Sequence, residues 1–195
     1  TGHNNGSTTT VSALSTGINI LARKWYAQVA NSLPTESFQF TLSSATLTNF
    51  GAFCKIGILI ADNASFTSNQ RFVEGTMNGT TLTVNDASIT GNKYFTVATF
   101  TIPVAGSIAS NQTICVGNTS SALTSSTNGT GFGTISYQWE SSIDGLTWNI
   151  ISGETNSNYS PGILMQSTSY RRITVASLGT VSCNSQETSP VTITV

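Results

Sequence analysis

The chain has 195 residues, a formal net charge of −1 and only 8% charged residues. It therefore lacks the concentrated Lys and Arg that nucleic-acid recognition and docking on an anionic membrane both need. No apolar run approaches bilayer-crossing length and no charged-then-apolar leader follows Thr1, so the expectation is a secreted piece of a longer protein, without direct membrane insertion and with two domains.

Residues 1–10 are polar and Gly-containing and read as a tail or linker. Residues 11–104 read as a first β-sandwich domain. The run 21–29 reads as a strand and carries Trp25, and in 37–42 Phe38, Phe40 and Leu42 share one strand face while Gln39 and Thr41 take the other. The run 55–61 is apolar almost throughout, as in a strand covered on both faces. Asp62, Asn63 and Ser65 then form an acidic turn, a thin calcium candidate because calcium takes six to eight oxygens; an Asx-turn is the plainer reading. Asn78-Gly79 signals a tight hairpin into 80–84, Gly91-Asn92 a second turn, and 93–102 a long strand that Pro103 ends.

The boundary is expected between Pro103 and Gly106, with a second β-sandwich over 105–195. Its strands fall at 112–115, 134–140, 148–151, 168–175 and 191–195. No 3.6-residue apolar pattern runs far enough to require a helix. Trp139 and Tyr137 share a strand face and, with Trp25, Trp148 and Tyr170, are the expected core aromatics. Arg171 and Arg172 point to opposite faces, so at most one is expected over Trp139 or Trp148, the other solvated or paired. Of the three cysteines, Cys115 and Cys183 bracket the second domain's strands and are expected to be disulfide-bonded, with Cys54 a core thiol; three buried reduced thiols are the alternative.

Chemistry is sparse. The only His is His3, in the tail, so no His-based triad can form within the folded region, and the cysteines lack close-spaced zinc-ligand pairs. No cofactor is expected, nor an enzyme. Glu140 beside Trp139 and Trp148 is the one combination suited to holding a sugar, through aromatic plates and a carboxylate. Asn-x-Ser/Thr patterns occur at Asn63, Asn78, Asn111, Asn118, Asn128 and Asn158. A Lys-to-Asn isopeptide bond would need Lys24, Lys55 or Lys93 buried beside Asn and an acid.

Residues 106–195 resemble the Ig-like or PKD-like repeats of very large Bacteroidetes surface proteins, including the SprB-type gliding adhesins exported by type 9 secretion. The resemblance rests on Asn111-Gln112-Thr113-Ile114-Cys115-x-Gly117, Tyr137-Gln138-Trp139-Glu140-Ser141-Ser142, Asp144-Gly145, Thr147-Trp148, Tyr159-Ser160-Pro161, Thr168-x-Tyr170-Arg171-Arg172, Cys183 and Val191-x-Ile193-x-Val195. The first half resembles, more loosely, a β-domain found ahead of such repeats, through Arg23-x-Trp25-x-x-x-Val29, Ile58-Leu59-Ile60-x-Asp62 and Gly91-x-x-Tyr94-Phe95-Thr96. Ser142-x-Asp144-Gly145-x-Thr147-Trp148 also resembles an Asp-box turn, one residue shorter, and implies a hairpin role.

Together these imply an extracellular, cell-surface module pair whose partners are neighbouring domains of the same long chain, with surface polysaccharide as a further candidate. Two rival readings are a carbohydrate-binding module with an exposed aromatic platform, and a filament subunit whose last strand pairs with another molecule.

Overall fold

The computed structural model describes residues 11–15, 17–27 and 33–195. The expected tail with His3, and Gln28 and Val29 of the first expected strand, lie outside them. The fold is all-β, with sheets packed as sandwich-like domains and, among the described residues, one short helix. Two compact units emerge: one is the chain up to Ile102 together with Ser177–Cys183, the other Pro103–Ala176 together with Asn184–Val195. The segment Ser177–Cys183 thus groups with the first unit, although sequence order alone assigns it to the second.

The first unit holds strands β1 (Val11–Ser15), β2 (Ile18–Leu21), β3 (Trp25–Ala27) and β4 (Leu33–Thr41), helix α1 (Ser44–Phe50), then β5 (Lys55–Ala61), β6 (Arg71–Glu74), β7 (Thr76–Asn78), β8 (Thr81–Ile89) and β9 (Lys93–Phe100). One sheet runs β1-β2-β9-β5-β6 with β3 also on β9; the other runs β4-β8-β7. β5 lies antiparallel between β9 and β6, with Ile58 opposite Val97 on one side and Val73 on the other. Its neighbours on both sides and its buried faces account for the unbroken apolar run. Gly57 is required there, since a Cβ would sit 2.0 Å from the Val73 carbonyl oxygen.

Ile56, Ile58 and Ile60 pack into one cluster with Leu82, Val84 and Ile89, joined by Phe38 and Phe40 from β4. Trp25 stacks on Phe95 at 5.7 Å and tilts against Phe40 at 5.3 Å. Gly79, at φ 58°, and Thr80 make the two-residue turn from β7 to β8, one residue later than the expected Asn78-Gly79, because Asn78 still pairs with Thr81 in the ladder. Helix α1 is a departure from the sequence expectation. Ser43 caps it by accepting from the Thr46 N–H at 3.1 Å, Gly51 closes it at φ 68°, and Thr46 and Phe50 are buried. Its seven residues are too short to develop an apolar period.

The second unit holds β10 (Ser107–Ile108), β11 (Gln112–Thr113), β12 (Asn118–Thr119), β13 (Ser125–Thr127), β14 (Thr134–Ser142), β15 (Asn149–Ile150), β16 (Ile163–Leu164) and β19 (Val191–Thr194), with most of β17 (Thr168–Leu178) and the latter part of β18 (Val181–Glu187). Its main sheet runs β11-β19-β17-β14-β15, with β18 beside β17; β10 pairs β13 and β12 pairs β16. The closing strand β19 pairs within its own chain, antiparallel to β17 and parallel to β11.

Trp139 is fully buried among Ile108, Leu123, Tyr170, Val191 and Ile193, and its Nε1 donates to the Asn156 carbonyl at 2.9 Å. Tyr159 bridges the Trp139 and Tyr170 rings at 5.5 and 5.7 Å. Burial raises the Tyr170 hydroxyl to about 12 and pushes Tyr159 up as well.

The cysteine pairing differs from the sequence expectation. The disulfide joins Cys54 to Cys183, and Cys115 is a free, exposed thiol. Cys54 stands just before β5, where its N–H donates to the Phe100 carbonyl, and Cys183 lies in β18 within the segment that groups with the first unit. That return of the chain brings Cys183 to Cys54; closeness in sequence between Cys115 and Cys183 has no bearing on it.

Candidate functional site

Both arginines of β17 lie over aromatic rings, on opposite faces. The Arg172 guanidinium, on the inner face, is 4.3 Å from the Tyr137 ring centre and 5.7 Å from that of Trp139. Arg171, on the other face, lies 4.3 Å from the Trp148 ring centre. The expectation that at most one arginine would do so fails because Trp139 and Trp148 do not share a face.

Arg172 is fully buried with no carboxylate partner recorded among the described residues. Its Nη1 donates to Ser125 Oγ at 3.0 Å and to the Ser157 carbonyl, and its Nη2 to the carbonyls of Thr127, Ala105 and Ser107 at 3.3, 3.5 and 3.5 Å. Burial lowers its pKa from the usual value.

On the opposite face a charged cluster forms. Arg171 Nε donates to Glu140 Oε2 at 2.6 Å, its Nη2 is 3.5 Å from Glu187, and Gln138 donates to the other Glu140 oxygen at 3.3 Å. Trp148 reaches this face because the β14–β15 turn is fixed by Asp144. Its Oδ1 accepts from the N–H groups of Leu146 and Thr147 at 2.8 and 2.7 Å and from Ser142 Oγ at 2.9 Å. Those hydrogen bonds, the backbone ones foremost, hold the Asp144 carboxyl well below the usual carboxylate range.

The sequence-predicted sugar contacts are therefore separated. Trp139 faces the core, while Glu140 and Trp148 share the outer cluster, where Glu140 is 8% exposed and ion-paired and Arg171 covers Trp148. Trp148 is half-buried on that face, contrary to its expected place in the core; Trp25 is half-buried against the first unit's core, and Tyr137 and Tyr170 are buried. Next to the cluster runs a groove of about 290 Å3 lined by Ser136, Gln138, Ile150, Ser152, Glu154 and Val175.

The calcium candidate is closed by its own side chains. Asp62 accepts from Lys93 and Asn69, which hold its carboxyl below the usual range, while Asn63 Oδ1 takes the Thr67 N–H at 2.9 Å and Ser65 meets Thr67 Oγ1 at 3.2 Å. The Lys93 ammonium already occupies the place a cation would take. Among the described residues, no three His, Cys, Asp or Glu side chains cluster for a metal ion. Lys93 does stand with Asn69 around an acid, as an isopeptide bond would need, but the site is not buried and the amine is ion-paired. Arg172 and the Cys54–Cys183 pairing are the determinants that sequence reasoning missed. The signal that could have placed Arg172 inward is its alternation with Tyr170, an expected core aromatic two residues before it.

A family model described as "Domain of unknown function (DUF8696)" matches residues 104–195. The match begins within two residues of Pro103, where the second unit starts. No curated protein matches the chain. Among solved structures, the chain is similar to a beta-1,2-glucanase from Parabacteroides distasonis, at 12% identity and a TM-score of 0.34, over 91% of this chain and 32% of the glucanase. The chain thus spans about a third of that protein's length, and a likeness this slight carries no inference about fold or activity.

Proposed function

We propose that the chain is a non-catalytic structural and adhesive module pair of a large secreted cell-surface protein, where it spaces or presents binding domains. The observation that supports this reading is the engagement of its chemistry-bearing side chains in holding strands together. Asp62 holds Lys93, Glu74 holds Lys55, Glu140 and Glu187 hold Arg171, Asp144 holds a turn, and Arg172 holds core oxygens. Its partners are the neighbouring domains of the same chain, as the resemblance to Bacteroidetes surface repeats, gliding adhesins among them, implies. The closing strand is engaged in its own sheet, which speaks against the strand-exchanging filament reading.

Binding of the purified chain to a glycan array, with sedimentation for its mass, tests the proposal. A monomer that binds no glycan is the expected result. Binding that Trp148→Ala abolishes would replace this reading with a carbohydrate-binding module on the outer face that carries Trp148 and Glu140.

A further inference from the structure

The Cys54–Cys183 bond closes a loop with a sequence separation of 129. Strands β5 to β9 lie inside that loop, and so does all of Pro103–Ala176, the larger part of the second unit. Covalent connectivity then fixes how tension passes through the molecule. A pull on the two chain ends travels to Cys54, crosses the two sulfurs to Cys183 and leaves through residues 184–195. Residues 55–182 are not on that path.

We propose that the Cys54–Cys183 bond acts as a length stop, which keeps the intervening chain from being drawn out when the protein is pulled end to end. The load falls on β1 to β4 and α1 before Cys54, and on the end of β18 and on β19 after Cys183. β19 is the strand that resists in the second unit, since it pairs with both β17 and β11 and buries Val191 and Ile193. Even after β19 is stripped away, the enclosed loop withholds about 450 Å of extension, at about 3.5 Å per extended residue. Reduction releases it: a dithiol such as dithiothreitol delivers two electrons and two protons, giving the Cys54 and Cys183 thiols and leaving as its own cyclic disulfide. The inference deepens the spacer reading in its use, but the stop itself follows from connectivity alone.

Single-molecule stretching of the full chain from both ends tests it, with the fully extended length as the readout. The untreated protein should end about 450 Å shorter than the same protein in dithiothreitol. The double variant Cys54→Ser/Cys183→Ser should reach the longer length without reductant, a reading that does not require the variant to fold. Equal lengths with and without dithiothreitol overturn the proposal, and so does a deficit of about 240 Å, which belongs to a Cys115–Cys183 bond. Neither result bears on glycan binding, so a failure here is distinguishable from a failure of the spacer reading.

Discussion

In the first unit, β5 and β9 stay paired from Lys55 opposite Phe100 to Ala61 opposite Tyr94, and the interior between the sheets is Ile, Leu, Val and Phe. In the second, β10, β11, β12, β15 and β16 are two residues each, and the interior contains a guanidinium. Short strands leave carbonyls that no ladder reaches, and a buried carbonyl without a donor costs about 1–3 kcal/mol. Arg172 supplies those donors from one side chain, gathering oxygens from 105–107, 125–127 and residue 157, while Tyr137 and Trp139 accommodate its charge. A planar fork with five N–H groups suits this task in a way an ammonium does not. One unit is held by its ladders and hydrocarbon, the other by a side-chain hub.

The sharpest test of that contrast is Arg172→Met, which keeps most of the volume and removes every donor. It should cost the second unit about 4 kcal/mol in urea unfolding followed by Trp fluorescence, with Arg172→Lys restoring little. A neutral Arg172→Met would erase the distinction between the units. For the first unit the matching change is Leu82→Ala, at the centre of its cluster, with an expected loss of about 3 kcal/mol in the same assay.

The third test uses alkaline pH. Tyr170 is raised to about 12 in the folded chain. Its contribution is complete below the unfolded value of about 10 and is lost as pH climbs through about 12, a change on the order of 2 kcal/mol. Tyrosinate absorbance followed in parallel with urea stability should show both moving together. The smallest effect is expected from Asp144→Ala, as faster amide exchange at Leu146 and Thr147 with the rest of the second unit unchanged. Because the Asp144 carboxyl is held low, its contribution is present above the unfolded value of 3.8 and is lost as pH falls below that.

Local patterns were readable in the sequence; distant partnerships were not. The alternation of Phe38 and Phe40, a hairpin at Gly79, though one residue off the expected register, and the two-sided burial of β5 follow from the chain's own local pattern. Helix α1 left only its punctuation, Ser43 and Gly51, as a signal. The alternation of Arg171 and Arg172 was plain, but which aromatic lay on which face depended on the Asp144 turn carrying Trp148 outward. Likewise Asp62 reads as a cation ligand until Lys93, 31 residues away, takes the place of the cation. With three cysteines, spacing favoured Cys115 for Cys183, and only the return of Ser177–Cys183 to the first unit decides for Cys54.

That return also bears on heredity. A domain copied or shuffled as an independent cassette has to carry its own cross-links. A cut at Pro103 leaves Cys54 on one product and Cys183 on the other. A copy of residues 104–195 alone would carry Cys183 without its partner Cys54, so a cross-link made in this chain would have to be lost or remade in the copy.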